Sequence, residues 1–144
     1  PDSQGYIYNE GEHEEMWVEG MKRWGDGVYY LSKESNHLYI SAAGDDMMGV
    51  IADTSWVTAE KVDLTAYNKA KFDLSGSGVV RPAVSDIQMG LSDSMTAFLN
   101  LFSPSRQVYE LDVSGLSGEY YIRVHAYSYD TSESEVCCYK IWLE

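Results

Sequence analysis

Turn-forming residues recur along the whole chain, at intervals of roughly eight to twelve residues. Each cluster combines glycine, proline, serine, asparagine or aspartate, which fit the backbone angles of tight turns. Most of the short segments between the clusters alternate apolar and polar residues, as strands with one buried face do. The pattern therefore predicts an antiparallel all-β fold. The turn clusters lie at residues 9–11, 25–27, 44–46, 75–78, 92–94, 103–105, 114–115 and 130–132.

Helical periodicity is nearly absent: residues 54–61 predict a turn, and residues 64–67 predict a brief helical turn. Short strands and many turns leave few ways to bury so many aromatic side chains other than a jelly-roll β-sandwich of two antiparallel sheets. The predicted strands cover residues 5–9, 15–19, 37–42, 47–53, 69–74, 87–92, 97–102, 107–113, 119–127 and 135–143. The predicted core contains Ile40, Val50, Phe72, Leu74, Leu91, Leu99, Leu111, Ile122, Val124, Ile141 and Leu143.

A length of 144 residues suits a single domain with a real core, and the 44% hydrophobic content argues against disorder. We expect residues 1–144 to form one β-sandwich. The chain begins at Pro1, with neither an initiator methionine nor a signal peptide, so we expect it to be excised from a larger protein.

The net charge of −13 makes phosphate backbones and anionic lipids poor partners, which excludes nucleic-acid binding. No apolar run approaches the roughly twenty residues that a membrane-spanning helix needs, so we expect no membrane insertion. The adjacent Cys137 and Cys138 point to opposite faces of a strand. Because a disulfide between neighbours requires a strained ring, both are predicted to be free thiols.

The predicted strand at residues 119–127 carries different chemistry on its two faces. Ile122 and Val124 belong to an ordinary core face. The opposite face carries a row of aromatic rings and hydrogen-bonding cations, a combination that suits sugars because the rings stack on C–H faces while the cations bind hydroxyls. A second, partly covered face of a two-layer sandwich is an equally good interpretation. The residues of this row are Tyr121, Arg123, His125 and Tyr127.

Arg81 and Trp24 are candidates for the rim of the same surface. In an acidic chain, an arginine such as Arg81 or Arg123 either neutralises a nearby carboxylate or makes a bidentate contact to sugar hydroxyls. Trp24 lies beside a glycine-rich turn, where it either caps the end of the sandwich or presents its ring to a ligand. Trp142 would face the same side as Tyr121 if the last two strands pair.

The sequence contains no catalytic signature. Its histidines, His13, His37 and His125, sit in unrelated segments, and no G-x-S-x-G motif is present. The 23 acidic residues offer many carboxylate pairs, so a pair by itself does not indicate a glycosidase. No metal site or cofactor is predicted, although carboxylate-rich turns are compatible with a structural calcium ion. The aspartates in question are Asp26, Asp45, Asp46 and Asp93.

Several stretches resemble one family of jelly-roll modules. The run Asp63-Leu64-Thr65-Ala66-Tyr67, followed by a strand at residues 69–73, is similar to the D-L-T-x-Y-x-x-L-x-F-D signature of modules appended to Firmicute surface proteins, glycoside hydrolases and prophage tail or baseplate proteins. Residues 6–11, 89–92, 109–122 and 139–143 also resemble this group, as does Trp17. The resemblance implies a jelly-roll fold and a carbohydrate-facing, non-catalytic role. Many such modules carry an acidic calcium ligand in the last strand, where Lys140 does not favour one.

These observations lead to two hypotheses of different classes. The first is a non-catalytic module that recognises a glycan or polysaccharide as an accessory domain of an extracellular, cell-surface or virion-surface protein, next to other domains of its parent. The alternative is a structural or assembly domain whose aromatic face packs on another domain or subunit without a small ligand; either would expose an apolar patch. A glycoside hydrolase fragment is a third, weaker alternative.

Overall fold

The computed structural model describes residues 1–23, 27–45 and 49–144, and the predicted site residue Trp24 lies outside these ranges. Within them the chain forms thirteen strands and two single-turn 3-10 helices, at Glu14–Met16 and Ser92–Ser94, and no α-helix. The strands are β1 (Tyr6–Asn9), β2 (Trp17–Glu19), β3 (Val28–Lys33), β4 (Leu38–Ala43), β5 (Ala52–Thr58), β6 (Val62–Asp63), β7 (Lys69–Ser77), β8 (Val79–Ser85), β9 (Ala97–Phe98), β10 (Leu101–Phe102), β11 (Gln107–Asp112), β12 (Glu119–Ser128) and β13 (Ser134–Leu143).

The strands form two antiparallel sheets packed face to face. Sheet 1 has the order β11-β7-β13-β4-β3, with β1 also paired to β13. Sheet 2 has the order β10-β8-β12-β5-β2, with β9 paired to β8 and β6 paired to β12. Successive strands of the chain therefore alternate between the sheets in several places, as at β7 and β8 or β12 and β13. The predicted jelly-roll β-sandwich of two antiparallel sheets is confirmed.

The core lies between the inner faces of the two sheets. Trp17, Phe72 and Ile122 are among its largest side chains, and all three are inaccessible to solvent. The predicted core is correct for Ile40, Phe72, Leu74, Leu111, Ile122, Val124, Ile141 and Leu143, whereas Val50, Leu91 and Leu99 are only half-buried. Those three lie in connections between strands, and of them only Leu99 packs against the core.

Strands β3, β6 and β8 were not predicted from the sequence, and two further segments differ from the sequence expectation. Residues 54–61, predicted as a turn, include most of β5, a strand of sheet 2 in which every residue is buried. Residues 87–92, predicted as a strand, instead form an irregular connection that leads into the second 3-10 helix. Both errors have one cause: this connection crosses the outer face of sheet 2, so β5 is covered on both sides and lacks an apolar–polar alternation.

The two cysteines are free, as predicted. Cys138 is buried in the core, and Cys137 is half-buried on the outer face of sheet 1. In the described part of the chain no helix has the length and apolar character needed to span a bilayer.

Candidate functional site

Strand β12 lies inside sheet 2 and places the predicted binding residues on the outer face of that sheet. Ile122, Val124 and Ala126 point into the core, as the alternation predicted. On the other side, Arg123 is level with Ala83 of β8, and His125 is level with Arg81. The structure therefore brings Arg81 and His125 together as direct cross-strand neighbours.

The middle of this outer face is covered. The covering segment, residues 86–94, crosses it and accepts hydrogen bonds from Arg123, with Nη1 3.2 Å from the Ile87 carbonyl oxygen and Nη2 3.4 Å from that of Leu91. Arg123 and His125 are both 0% exposed. The expectation that these two side chains lie at the surface is therefore wrong for this structure. Strand alternation shows which residues share a face, but not whether a distant segment folds over it.

Beneath the covering segment, His125 and Ser92 share the carboxylate of Asp53. His125 Nδ1 lies 2.9 Å from Asp53 Oδ1, and the Ser92 amide and hydroxyl each donate to Oδ2 at 2.7 Å. Burial lowers the pKa of His125 and outweighs the opposing effect of the Asp53 carboxylate. Burial pushes the pKa of Asp53 upward, but the hydrogen bonds from His125 and Ser92 lower it on balance. The pair is a neutral imidazole donating Nδ1–H to a carboxylate.

Several buried polar atoms on this face have no hydrogen-bond partner among the described residues. These are His125 Nε2, Ser55 Oγ and Arg123 Nε. Ser55 is the direct neighbour of His125 across β5 and β12, and Arg123 lies two residues from His125 on the same face. Burial also lowers the pKa of Arg123, although Asp53 opposes this effect.

One end of the same face is open. The Arg81 guanidinium carbon lies 4.2 Å from the centre of the Tyr127 ring, and the Tyr127 and Tyr129 rings are 5.8 Å apart. Phe102 and Tyr127 are both paired with Val79, so they flank it on the same side of the sheet. Phe102 is 67% exposed and Tyr129 is 59% exposed. We call Arg81, Phe102, Tyr127 and Tyr129 the aromatic platform.

An open depression of about 120 Å³ lies beside the platform. Its wall combines the rings of Tyr127 and Tyr129 with the polar residues Asp130, Ser132 and Glu133. Arg81 is held in place by two hydrogen bonds, from Nε to Asn100 Oδ1 at 3.0 Å and from Nη1 to Ser92 Oγ at 2.9 Å. Rings, a fixed cation and carboxylates therefore meet at one accessible place.

Tyr121, the remaining predicted site residue, lies at the opposite end of β12. It is six residues from Tyr127, which is about 20 Å at about 3.4 Å per residue. Tyr121 is half-buried, and the Lys61 amine lies 5.7 Å from its ring centre. The structure thus divides the predicted row into three parts. Tyr127 lies at the open end with the rim candidate Arg81, Arg123 and His125 lie in the covered middle, and Tyr121 lies at the far end.

Sequence reasoning missed Phe98, Phe102 and Tyr129 as exposed rings near this face. Phe98 and Phe102 belong to the short strands β9 and β10, and their spacing of four residues places both on the outer side. Trp142 does not join this surface, because β13 belongs to sheet 1. It packs against Tyr6, with ring centres 5.6 Å apart, on the outer face of the other sheet.

In the described ranges no three His, Cys, Asp or Glu side chains are grouped so that they could hold a metal ion. Of the calcium candidates, Asp26 and Asp46 lie outside the described residues, and Asp93 is exposed. The calcium interpretation stays a prediction.

No protein-family model matches the chain, and no curated protein matches it. Solved structures do resemble it. A family 11 carbohydrate-binding module from Clostridium thermocellum, in complex with a β-1,3-1,4-mixed-linked tetrasaccharide, superposes with a TM-score of 0.57 at 12% identity, over 96% of this chain and 94% of that one. A family 29 module, mutated to probe ligand recognition, gives a TM-score of 0.56 at 14% identity, over 96% of this chain and 89% of that one.

A third structure, of carbohydrate-binding modules from the β-sandwich superfamily with promiscuous specificity, gives a TM-score of 0.65 at 8% identity. It is matched over 99% of this chain and 63% of that one. At these identities the likeness establishes a shared β-sandwich fold.

Proposed function

We propose that this chain is a non-catalytic carbohydrate-binding module, and that the aromatic platform with its adjacent depression is its glycan contact surface. The observation that carries the proposal is the cluster of Arg81, Phe102, Tyr127 and Tyr129, in which Phe102 and Tyr129 are exposed, on a sandwich whose structural neighbours are carbohydrate-binding modules. The module serves as an accessory domain of a larger surface or phage tail protein outside the cell, next to other domains of that protein.

The chemistry of the platform suits a sugar. Phe102 and Tyr129 offer ring faces for the C–H surface of a pyranose, while Arg81 and Asp130 offer a donor and an acceptor for hydroxyls. The chain is strongly acidic, with a net charge of −13, and Asp130 and Glu133 border the depression. Neutral glycans are therefore favoured over acidic ones.

Glycan-array screening followed by calorimetric titration tests the proposal. We expect the wild-type chain to bind neutral oligosaccharides, starting with β-1,3-1,4-linked glucans, and Phe102→Ala to lose most of the measurable affinity. The matched control is Tyr30→Ala, which removes an exposed ring from the outer face of sheet 1. A wild-type chain that binds no glycan, or a Tyr30→Ala variant that is impaired as strongly as Phe102→Ala, contradicts the proposal.

The apolar character of Phe98 and Phe102 favours a second candidate function. Both are exposed at the β9–β10 edge of sheet 2 without a polar tip. Two exposed phenylalanines on short edge strands also suit packing against a neighbouring domain or subunit. Light scattering during size-exclusion chromatography separates the two functions: a monomer that binds glycans supports recognition, and a stable trimer that binds none supports assembly.

A further inference from the structure

We propose that the covering segment, residues 86–94, is a lid, and that Arg123 and His125 beneath it, with Ser55 beside His125, form a second, closed subsite for sugar hydroxyl groups. This proposal rests on the glycan-binding function proposed above, and it adds a gate and a specificity-determining subsite to the same face of sheet 2.

The covering segment is attached mainly by hydrogen bonds. Its carbonyl groups accept from Arg123, its Ser92 donates to Asp53, and its Gln88 amide donates to the Thr58 and Ala59 carbonyls at 3.2 and 3.0 Å. Its large apolar side chains are only partly buried, since Ile87 is 48% exposed, Met89 is 47% exposed and Leu91 is half-buried. Water or sugar hydroxyls replace such hydrogen bonds when the segment moves away, whereas buried apolar surface would resist opening.

The atoms left unpaired beneath the segment complement a hydroxyl group. His125 donates its Nδ1–H to Asp53, so its Nε2 is an acceptor, and this atom has no partner among the described residues. Arg123 Nε is a donor without a partner, and Ser55 Oγ can play either role. A sugar hydroxyl both donates and accepts, so hydroxyl groups can pair with the acceptor Nε2 and with the donor Nε. Leaving such buried groups unpaired is costly, which favours a ligand that pairs them.

The closed subsite is physically connected to the open platform. Arg81 stacks on Tyr127 of the platform and also donates from Nη1 to Ser92 Oγ of the covering segment, at 2.9 Å. Ser92 in turn is bonded to Asp53. A glycan that draws Arg81 toward its own hydroxyls therefore removes one of the contacts that hold the segment closed, and this couples platform binding to opening.

A substitution at Gly90 tests the lid without touching the platform. A methyl group at this position would approach Arg123 Nη1 to 3.0 Å, besides displacing the Ser94 hydroxyl within the segment, so Gly90→Ala should crowd the Arg123 guanidinium and weaken its hydrogen bonds to the segment. The matched control is Gly115→Ala, because a methyl group there meets no other atom within 4 Å. We expect amide hydrogen exchange to rise at Ser92 and its neighbours in Gly90→Ala alone. Should Gly90→Ala not fold, Ser92→Ala, which removes the hydroxyl contacts to Asp53 and Arg81, takes its place.

The binding measurement uses the β-1,3-1,4-mixed-linked tetrasaccharide together with every oligosaccharide that binds the wild-type chain on the glycan array. If the open form makes up about a tenth of the wild-type population, Gly90→Ala should tighten binding about tenfold, and Gly115→Ala should not change it. The His125 Nε2 resonance should shift when wild-type protein is saturated with sugar, while those of His13 and His37 stay in place.

The two proposals fail in different ways. If no oligosaccharide binds either protein, the glycan-binding function is wrong, and the subsite is wrong with it. If the wild-type chain binds through Phe102 but Gly90→Ala binds equally well and the His125 signal does not move, the function stands and the subsite is overturned. In that case the unpaired atoms hold internal water only.

Discussion

Tyr127 has a ring that contacts Arg81 on one side and Tyr129 on the other, and it borders the depression. A stacked ring supplies contact area to a sugar, and weakly binding modules depend on a few such contacts. We expect Tyr127→Ala to weaken glycan binding by about 1–3 kcal/mol, the typical value for burying one large side chain. Thermal unfolding measured beside the glycan titration should show that the fold survives.

The sequence makes the same prediction for Tyr121→Ala, and the comparison is informative because the two tyrosines lie at opposite ends of β12. Equal losses for both variants would mean that the ligand spans the whole face, over the covering segment or in its place. A loss for Tyr127→Ala alone would confine the ligand to the aromatic platform. If either variant unfolds, that ring contributes to the core, and its assignment to a binding surface is wrong.

The Asp53–His125 pair makes the stability of the fold depend on pH. The pKa of His125 is lowered from its usual 6.5 by burial, with Arg123 and Arg81 acting in the same direction and Asp53 opposing them. Below about pH 6.5 the unfolded chain binds a proton at His125 that the folded chain does not bind. The free energy of unfolding should therefore fall as the pH drops below about 6.5. The lowered pKa of Asp53 adds a second loss as the pH falls below its ordinary value of 3.8.

Urea unfolding at a series of pH values measures this dependence, and His125→Gln is the control. Glutamine does not titrate, so the slope below pH 6.5 should become smaller in that variant while the loss at lower pH remains. An unchanged slope would show that His125 is not the group that takes up the proton on unfolding.

At the scale of strands, the sequence predicted those elements whose two faces differ. In β4 and β7 the inner residues are apolar and most of the outer ones are polar, so the alternation gives both the element and its orientation. In β13 a register shift between Cys138 and Lys140 puts Cys138 on the buried side together with Ile141 and Leu143, which simple alternation does not predict. β5 was not predicted as a strand because the covering segment buries outer residues such as Asp53, so an apolar–polar alternation is absent. β8 was not predicted either, and it contains Pro82 between the residues paired with β9 and those paired with β10.

The candidate site was also predictable only in part, because strand alternation shows which residues share a face but not what covers that face. Alternation placed Arg123, His125 and Tyr127 on one face of β12, and Arg81 joins them in the structure. The covering segment was not predictable, because most of its contacts to that face are hydrogen bonds between residues far apart in the sequence, such as Ser92 with Asp53. Such contacts leave no periodic pattern in the sequence.

The connection between β7 and β8 carries a prediction at this scale. These strands belong to different sheets, and Gly78 is the single residue between them, with φ of +72°. A methyl group there would overlap the Ser134 hydroxyl and lie 2.9 Å from Ser134 Cα. Because the left-handed backbone and the overlap act together, we expect Gly78→Ala to lower the free energy of unfolding by about 2 kcal/mol or more.

Urea unfolding of Gly78→Ala beside Gly115→Ala isolates this effect. Position 115 has room for a methyl group, so alanine should leave stability almost unchanged there. Equal destabilisation of the two variants would show that the passage between the sheets does not require glycine at position 78.

For the whole molecule, the net charge of −13 is the dominant electrostatic property. Like charges on a compact chain repel one another, and added salt screens this repulsion within a Debye length of about 10 Å at 0.1 M. We expect the melting temperature to rise by a few degrees between roughly 0.01 M and 0.3 M sodium chloride. Binding of a neutral glycan at the platform should hardly change over the same range, because ring stacking and hydrogen bonds to neutral hydroxyls are weakly screened.

The same experiment, repeated with calcium chloride at equal ionic strength, separates screening from specific binding. A ligand that binds only the folded state raises stability with its concentration, beyond any effect of charge screening. In the described residues Asp93 is exposed and no cluster of three candidate ligands is present. If charge screening is the only effect, calcium and sodium should stabilise the fold equally. An additional rise of several degrees in calcium, reversed by a chelator, would instead establish a structural calcium site, and the first substitutions to make would be Asp26→Asn and Asp46→Asn.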